Sequence, residues 1–427
     1  MASLNNSSKD PQAKILQARA LRTLFVVLIV GGGMFGLRWY FQHSKDTTEA
    51  FSGTVNSADQ VLAIETEKEG QKVVVFDTTG KKIEQGGEKA GTNDRDPVWR
   101  PDGNRIFFVS DRSGKGFQVY RWVPTANQEA EVRSQGSIGK SNPTFPADSS
   151  DPKAEMLLVS GGFVNEYDPS EVKGHQILPP VSQVTAAGGS DDEGSGGSGG
   201  QFSQLYSQFG DSFRLARWCA ANDAIAAVMR SDRGESLIVQ PLPKNGEKVP
   251  PPIPLASGDR IDFDVSPKDG SIAFIVQNYR WTSASPVPKE RRFLHCVGMW
   301  KPGTSTPVVI AQGLDDKSSF ASPAISPAGD KVLMTVGPFD RASGSMTPTA
   351  LVTMPLVENA AASAAKLVDG EVYEPSWGPK GDKIAYAKRG ANGSRAIYII
   401  GADGAGEHTL SGDTGSYSFP KFSPQGK

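Results

Sequence analysis

"DPVWRPDGNRIFFVSDRSGKGFQVYRW", residues 96–122, and "EPSWGPKGDKIAYAKRGANGSRAIYII", residues 374–400, repeat one pattern at two distant places in the chain. Aligned without a gap, the copies pair Trp99 with Trp377, and prolines, a glycine, an isoleucine and a tyrosine also match. Each copy contains a proline-flanked aromatic residue, a Pro-x-Gly stretch and two apolar runs, which predict strands joined by tight turns. The stretch therefore predicts a β-meander unit, with Trp99 and Trp377 as core packing residues.

The turns of this unit depend on glycine and proline. Gly103 and Gly381 occupy the same position in the two copies, and we expect both to adopt the positive φ that a tight turn needs. We expect the prolines of each copy to fix φ at the turn entries, where no ladder donor is required. This turn chemistry explains why one short pattern can be reused along the chain.

Further copies follow when the position of Trp99 is used as a marker. The marker positions are Trp99, Phe145, Trp218, Val265, Ile325, Trp377 and Phe422. Their spacings are 46, 73, 47, 60, 52 and 45 residues. The shortest spacings match the length of one four-stranded β-propeller blade, and the strand chemistry excludes helical repeats. The fold class is therefore predicted to be all-β, a propeller.

The first and last copies complete each other. Residues 61–85 have the later strands of a repeat but no marker, whereas Phe419–Phe422 has only the first strand. A ring of blades leaves no sheet edge exposed if its two ends share a blade. We therefore predict a composite first blade and seven four-stranded blades in all. Six blades is the alternative, if the divergent copy at Phe145 or at Trp218 is not a true blade.

A family resemblance rests on the repeat core. The pattern Pro-x-Trp-x-Pro-x-Gly-x-(Lys/Arg)-Ile-x-(Phe/Tyr), clearest at Pro97–Tyr120 and Pro375–Tyr398, resembles the WD40-like (PD40) propeller repeat of the TolB family. "SDR" at Ser110–Arg112 and Ser231–Arg233 is similar to the second-strand ending of that family. The resemblance covers residues 57–427 and implies a propeller. TolB proteins carry a small α/β domain before the propeller, which we do not expect here, so their Pal-binding and TolA-binding roles are not carried over.

Composition sets limits on function. The chain has 47 glycines and 30 prolines, which suits a turn-dense all-β body, and a formal net charge of −2 gives no field that would attract nucleic acid. We expect no disulfide between Cys219 and Cys296, because they lie in different blades. The four histidines are scattered without a metal-ligand spacing, so we predict no metal site and no cofactor.

The N-terminal segment predicts a membrane anchor. Residues 23–41 are almost entirely apolar and long enough to span a bilayer as a helix. Residues 1–22 contain four cations, Lys9, Lys14, Arg19 and Arg22, which favour a cytoplasmic N-terminus and a propeller outside, in the periplasm or extracellular space. We expect a signal-anchor helix of the cytoplasmic membrane, followed by a linker at residues 42–56. A cleaved signal peptide is the alternative.

Two insertions explain the long spacings. Residues 185–203 include the Gly/Ser tract "AAGGSDDEGSGGSGG", which predicts a disordered insertion. Residues 278–293 form a second loop that mixes aromatic and cationic residues, the types enriched in interface hot spots. The candidate binding residues of this loop are Tyr279, Arg280, Trp281, Lys289, Arg291 and Arg292. The alternative is a solvated loop with an aromatic residue tucked onto the blade.

Two classes of function remain. We favour a membrane-tethered protein-binding or scaffolding module of the cell envelope, whose partner is another envelope protein or a cell-wall component, because no catalytic constellation stands out. The alternative is a propeller enzyme or accessory, hydrolase-like or lactonase-like, with a site in the central channel. Such a site needs polar residues from several blades, whereas the marker positions are apolar. The peptidase form would need an α/β-hydrolase domain, which we do not expect here.

Overall fold

The computed structural model describes residues 60–424 except 78, 85–90, 115, 125–127, 132–139, 146–156, 162–163, 169–211, 220–222, 232–233, 242–249, 278–294, 314–317, 341 and 413–414. The chain divides into two units, Met1–Asn56 and Ser57–Lys427, and every described residue belongs to the second. Within the described ranges no helix is long and apolar enough to cross a membrane. The anchor predicted at residues 23–41 and the insertion at 185–203 lie outside those ranges.

The described residues form β-strands and one short 3₁₀ helix. The first ten strands are β1 (Val61–Glu67), β2 (Gly70–Phe76), β3 (Lys82–Glu84), β4 (Asp94–Trp99), β5 (Ile106–Ser110), β6 (Gln118–Val123), β7 (Gln128–Glu131), β8 (Lys140–Thr144), β9 (Leu157–Gly161) and β10 (Val164–Asp168). The next eight are β11 (Ser212–Cys219), β12 (Ala224–Ser231), β13 (Gly234–Pro241), β14 (Ile253–Gly258), β15 (Arg260–Val265), β16 (Ile272–Gln277), β17 (His295–Trp300) and β18 (Val308–Gly313).

The remaining strands complete the chain order. They are β19 (Ser319–Ile325), β20 (Lys331–Gly337), β21 (Phe339–Asp340), β22 (Ser345–Met346), β23 (Ala350–Pro355), β24 (Ala365–Asp369), β25 (Val372–Trp377), β26 (Lys383–Arg389), β27 (Arg395–Gly401), β28 (His408–Thr409) and β29 (Ser416–Phe422). The 3₁₀ helix, Ala360–Ser363, lies between β23 and β24.

These strands assemble into six four-stranded antiparallel blades. Blade 1 is β29-β1-β2-β3, blade 2 is β4 to β7, blade 3 is β11 to β14, blade 4 is β15 to β18, blade 5 is β19-β20-β23-β24, and blade 6 is β25 to β28. A three-stranded sheet, β8 to β10, lies between blades 2 and 3, and β21 pairs with β22 in a small hairpin. The predicted all-β propeller is confirmed.

The composite first blade is also confirmed. Strand β29 pairs antiparallel with β1, with Phe422 opposite Val61 and Tyr417 opposite Glu65. The Tyr417 hydroxyl donates to the Glu65 carboxylate at 2.8 Å across this pair. The sheet order β29-β1-β2-β3 therefore joins residues more than 300 positions apart and removes the edge that β1 would otherwise expose.

The prediction of seven four-stranded blades is wrong. Six sheets of the propeller have four described strands, as the six-blade alternative predicts. The difference lies at the Phe145 copy, where β8, β9 and β10 form a sheet without a fourth described strand. The copy at Trp218, in contrast, forms a complete blade.

The marker residues pack between blades. The buried markers are Trp99, Phe145, Trp218, Ile325 and Phe422, while Val265 and Trp377 are partly buried against the same apolar clusters.

Cys219 and Cys296 lie together in the core between blades 3 and 4 as free thiols. Burial raises the pKa of the Cys296 thiol to about 12. As predicted, Gly103 and Gly381 have φ of 72° and 74°.

The innermost strand of every sheet lines the propeller axis: β29, β4, β8, β11, β15, β19 and β25. Five of them contain a residue with positive φ directly before a proline, at Asp96, Asn142, Ser322, Glu374 and Phe419 (φ of 49°, 49°, 54°, 51° and 52°). Such a conformation is uncommon outside glycine and unfavourable before proline. Pro97 and Pro375 thus lie inside a strand, not at a turn entry as expected.

The bulge at these residues redirects backbone hydrogen bonds. The strand register shifts between Ser141 and Thr144 in β8, and in β29 opposite Leu62 and Ile64, so the ladder to the second strand is interrupted there. A free N–H group must find another acceptor, because leaving it unpaired in a buried position is costly. For Asn142 and Phe419 the acceptor is a carboxylate of the preceding blade.

Carboxylates supply three of these acceptors. The carboxylate of Asp96 accepts the N–H of Asn142 at 3.0 Å, and that of Glu374 accepts the N–H of Phe419 at 2.6 Å. In blade 4, Asp264 accepts the N–H of Ile325 at 2.9 Å. Each bond connects one innermost strand to the next.

Side-chain donors make the other four connections. The indole N–H of Trp99 donates to the carbonyl of Lys421 at 3.3 Å, and that of Trp377 donates to the carbonyl of Ala324 at 3.1 Å. The Asn142 amide donates to the Arg214 carbonyl at 3.0 Å, and the Arg217 guanidinium donates to the Phe263 carbonyl at 3.3 Å. We call these seven inter-strand hydrogen bonds the belt, because they connect every neighbouring pair of innermost strands.

Removing β29 should open the ring. Deletion of Phe419–Lys427 takes away most of the innermost strand of blade 1, exposing the edge of β1 and of the apolar core beside it. We expect a melting temperature lower by at least about 5 °C, or aggregation, since several kcal/mol of packing are lost and each is worth roughly 1 °C or more at this size. Scanning calorimetry or dye-monitored melting measures the change. A control lacking only residues 425–427 keeps β29 and should melt like the full chain; equal melting of both deletions would contradict the composite blade.

Glu374 should make part of the stability depend on pH. Burial raises the pKa of the Glu374 carboxyl, against the opposing effects of the Phe419 N–H and Arg395. Below its unfolded pKa the group is neutral in both states, and the cost of burying its charge appears as pH rises through the raised folded pKa. The melting temperature of Glu374→Gln relative to the unmodified chain should therefore increase between about pH 4 and pH 7.

The matched control for this comparison is Glu358→Gln. Glu358 is exposed, so the substitution removes the same charge without changing a buried group. We expect it to shift the melting temperature little at either pH. A pH-independent difference between Glu374→Gln and the unmodified chain would show that burial does not destabilise the Glu374 carboxylate.

Candidate functional site

The central channel is the place where polar side chains from several blades converge. Strands alternate their side chains, so the residues one and three positions before each marker lie on the side opposite to the marker itself. Most of these residues are partly exposed, which is consistent with a water-accessible channel, whereas the markers are buried or nearly so. The residues one position before the markers are Val98, Thr144, Arg217, Asp264, Ala324, Ser376 and Lys421.

Lys421 is the central charge of the channel. Its side chain is only partly exposed, and the pKa of its ammonium group is lowered to about 8, chiefly because of burial. The positive charge of Arg217 lowers this pKa further, while the carboxylates of Asp96 and Asp264 raise it. Because these groups come from blades 1, 2, 3 and 4, their electrostatic interaction shows that the four innermost strands bring their charges together in one space.

The two aspartates near Lys421 are already engaged in the belt. Asp96 accepts the N–H of Asn142, and Asp264 accepts the N–H of Ile325. Asp264 also lies 3.8 Å from the guanidinium of Arg217. These carboxylates therefore hold neighbouring blades together, in addition to balancing the charge of the channel.

Two polar groups of the channel have no partner in the part of the chain that the structure describes. The Lys421 ammonium makes no hydrogen bond or ion pair there, although its carbonyl accepts from Trp99. The Ser376 hydroxyl is buried and also has no hydrogen-bond partner. Ser376 and Lys421 occupy equivalent positions on adjacent innermost strands. Buried polar groups are usually satisfied, so unpaired ones indicate a water, an ion or a ligand group.

One end of the channel carries charged side chains and an exposed aromatic side chain. Phe419, three positions before its marker, is 46% exposed, beside the carboxylate that accepts its N–H. On the opposite part of the same ring, Arg214 forms an ion pair with Glu235 at 2.7 Å and lies 3.4 Å from Asp262. Charges of both signs therefore surround this opening.

The predicted binding residues are not among the residues that the structure describes. Tyr279, Arg280, Trp281, Lys289, Arg291 and Arg292 all fall within residues 278–294, outside the described ranges. The chain leaves blade 4 at Gln277 and returns at His295, so this loop connects the second and third strands of that blade. Topology places these ends on the side where the innermost strands begin, because successive strands are antiparallel.

The apolar marker positions were expected to argue against a polar site in the channel, and this expectation is corrected. The markers face the cores between blades, whereas the residues before them on the innermost strands include the charged side chains of Asp96, Arg217, Asp264 and Lys421. These charged residues could have been found from the sequence, because side chains alternate along a strand and the position before each marker lies on the opposite face. No group of histidine, cysteine or acidic side chains among the described residues could hold a metal ion.

Comparisons with known proteins find structures with a similar fold and a relative that is similar over a short segment. No protein-family model matches the chain. The chain is 32% identical to the uncharacterized peptidase YuxL of Bacillus subtilis over 96 residues, which are 21% of this chain and 14% of that protein. The similarity therefore covers only a small part of the peptidase.

Solved structures similar to this chain are β-propellers and proteins that contain them. TolB from Acinetobacter baumannii is 14% identical, with 86% of this chain and 67% of that chain covered and a TM-score of 0.47. A prolyl endopeptidase is 10% identical, with 88% and 54% covered and a TM-score of 0.50, so this chain spans about half of it. A putative TolB from Agrobacterium tumefaciens is 12% identical, with 71% and 88% covered and a TM-score of 0.40. The chain is thus an all-β propeller whose structural neighbours include TolB and other WD40-like propellers.

Proposed function

We propose that this protein is a membrane-tethered, extracytoplasmic β-propeller that acts as a protein-binding or scaffolding module of the cell envelope. The closed ring offers two faces and a polar channel on a rigid support, a geometry that suits binding. Its partner, on this proposal, is another envelope protein or a cell-wall component.

The hydrogen bonds of the channel carboxylates are the reason to prefer a binding function over a catalytic one. Acid–base catalysis needs carboxylates that are free to exchange protons with a substrate. The carboxylates of Asp96, Asp264 and Glu374 instead accept backbone N–H groups that connect neighbouring blades. The Lys421 ammonium, which is partly exposed and makes no hydrogen bond or ion pair within the described ranges, is a donor suited to recognition.

The tether and the location rest on the sequence. Residues 23–41 are apolar over the length of a bilayer span, and the cations of residues 1–22 favour a cytoplasmic N-terminus. On this proposal residues 42–56 connect the helix to the propeller, whose first strand begins at Val61. The propeller then lies in the periplasm or the extracellular space.

The aromatic and cationic loop at residues 278–293 remains the proposed partner-binding surface. Arginine, tryptophan and tyrosine are the residues most enriched in interface hot spots. Its flanking residues Gln277 and His295 lie at the ends of β16 and β17, so the loop is anchored at both sides by strands of blade 4. Loops held by a rigid scaffold commonly carry binding residues.

A propeller enzyme or accessory with a channel site is the second candidate. The partial similarity to the peptidase YuxL favours it, because the aligned segment belongs to a protein named as a peptidase. The polar residues that four blades contribute to the channel also fit this candidate better than the apolar markers did. A hydrolase-like or lactonase-like reaction is the class of activity it implies.

Protease protection tests the proposed topology. If the propeller is outside, a protease added to intact spheroplasts should cleave within residues 185–203, because a Gly/Ser tract offers no packed structure to resist it. Residues 1–22 should stay protected until the membrane is dissolved with detergent. Immunoblots with tags at the two ends read out both sites. Cleavage of the N-terminal tag in intact spheroplasts, with the propeller protected, would reverse the orientation.

Alanine substitution tests the binding loop. Replacing Arg280, Trp281, Arg291 and Arg292 together should weaken capture of the crosslinked envelope partner at least tenfold, since truncating one hot-spot residue can cost about 2 kcal/mol. The melting temperature should change little, because surface substitutions usually shift stability by about 0.5 kcal/mol or less. Quantitative crosslinking and thermal melting measure the two effects.

A matched control removes three cations from the described surface. Lys68, Lys268 and Lys380 are exposed, and their replacement by alanine changes the net charge as the loop variant does. We expect this control to capture the partner normally. An unfolded loop variant would show that its aromatic residues belong to the core, and normal capture by a folded loop variant would place the binding surface elsewhere.

A further inference from the structure

Phe419 combines an exposed aromatic ring with an unfavourable backbone conformation. Its side chain is 46% exposed, and among the side chains that the structure describes no other aromatic ring is classed as exposed. Its φ is 52°, and Pro420 follows it directly. Bulky residues rarely adopt positive φ, and residues that do so are found preferentially at functional sites. Neither burial nor backbone preference therefore explains an aromatic residue at this position.

The belt does not use the side chain of Phe419. At three equivalent positions, where φ is also positive, the side chain connects its strand to a neighbouring one: Asp96 and Glu374 accept backbone N–H groups, and Asn142 donates to a backbone carbonyl. A phenyl ring has no donor or acceptor for such a bond. Strand β29 reaches β4 through a backbone carbonyl of its own. The ring of Phe419 is thus available for contact with another molecule.

A carboxylate is fixed beside the residue that carries this ring. One oxygen of Glu374 accepts the N–H of Phe419 at 2.6 Å. The other oxygen makes no hydrogen bond or ion pair with any described residue, and the side chain is partly exposed. A cation is attracted both by the face of an aromatic ring and by a carboxylate. The pair therefore favours a positively charged group.

The cation that acts on Glu374 from within the chain lies against a different ring. Arg395, on β27, lowers the pKa of the Glu374 carboxyl, as the N–H of Phe419 does, but burial outweighs both effects and raises this pKa. The Arg395 guanidinium lies 3.7 Å from the centre of the Tyr373 ring and forms no ion pair within the described residues. The charge of Glu374 is therefore incompletely compensated, and a cation from outside would compensate it.

A second carboxylate lies on the other strand that flanks β29. Asp96 is on β4, three positions before its marker, as Glu374 and Phe419 are before theirs. It accepts a backbone N–H and forms no ion pair within the described residues. The charge of Lys421 offsets part of its effect, so Glu374 is the main carboxylate beside Phe419. This distribution of charge is complementary to a basic ligand.

We propose that Phe419 and Glu374 form a docking point for a basic side chain, a lysine or an arginine, of the protein partner. The inference rests on the proposed function and specifies the chemistry of one contact with that partner. The ring would contact the cation and its methylene groups, while the second oxygen of Glu374 accepts a hydrogen bond from it. A metal ion would gain less, because a phenyl ring provides no oxygen ligand.

Saturation-transfer NMR with the full chain in an uncharged detergent tests the docking point. The probes are acetylated, amidated peptides of the sequence Gly-Gly-Lys-Gly-Gly, with arginine or the uncharged norleucine in place of lysine for comparison. The lysine and arginine peptides should bind at least about fivefold more tightly than the norleucine peptide. Saturation should be strongest at the Cε protons of the lysine.

Substitutions separate the ring from the carboxylate. Phe419→Asn provides the residue type of Asn142, which tolerates positive φ, so it should melt at or above the unmodified chain while binding the lysine peptide at least about threefold more weakly. Glu374→Gln keeps an oxygen for the Phe419 N–H but removes the charge, and should also weaken binding at least about threefold. Glu358→Gln removes an exposed carboxylate elsewhere and should bind normally.

The pH dependence of binding provides a further readout. Lowering the pH from about 7 to about 5 should weaken binding of the lysine peptide to the unmodified chain, because protonation removes the charge of Glu374. Glu374→Gln should show a smaller change over the same range, since that charge is already absent. A purely structural role of Glu374 would not produce this difference.

Several results would overturn the docking point. These are equal binding of the lysine and norleucine peptides, unchanged binding in Phe419→Asn and Glu374→Gln, a lower melting temperature of Phe419→Asn, or tighter binding of tetramethylammonium than of either basic peptide. Should Phe419→Asn fail to fold, Glu374→Gln and its pH dependence still decide the question. Normal capture of the crosslinked partner by both variants would reject the docking point and leave the proposed function standing. Binding of the lysine peptide by a chain that captures no partner would count against the proposed function instead.

Discussion

The belt of hydrogen bonds between neighbouring innermost strands is the constraint on which the rest of the structure depends. Each blade is a sheet whose own ladder ends at its first strand, so no ladder hydrogen bond connects a blade to the next one at the axis. The side chains of Asp96, Asp264 and Glu374 do so by accepting backbone N–H groups of the following sheet. Trp99 and Trp377 act in the other direction, as donors to the preceding sheet.

The belt also explains the unusual backbone of the innermost strands. A proline removes a ladder donor, and the residue before it turns to positive φ, so that its own N–H points away from the second strand. At Asn142 and Phe419 that N–H becomes a belt donor. The strain at these positions is balanced by a charge-assisted bond to the next blade. Structure and channel chemistry are therefore coupled, because the same carboxylates serve both.

Much of the fold could be predicted from the sequence, and the reasons are local. The pattern around Trp99 repeats because turn chemistry and period-two alternation specify a meander wherever they occur, and the incomplete repeats at residues 61–85 and Phe419–Phe422 predict their own pairing. The Phe145 copy led to the wrong number of blades, because a marker predicts an innermost strand but does not guarantee that three further strands follow it. The channel site was missed because the channel face consists of the residues between the markers, and which of their charges meet depends on ring closure.

Closure of blade 1 has a consequence for how the protein folds. Strands β1 and β29 pair across nearly the whole described chain, so Val61 can meet Phe422 only after the residues of all the other blades have been synthesised. Bringing such distant segments together carries a large loop entropy, and topologies rich in distant contacts fold slowly. Until that step, β1 presents an unpaired edge of apolar residues, the kind of surface on which folding intermediates aggregate. Chaperone dependence would therefore be concentrated in the last stage of folding, after most of the blades are already native.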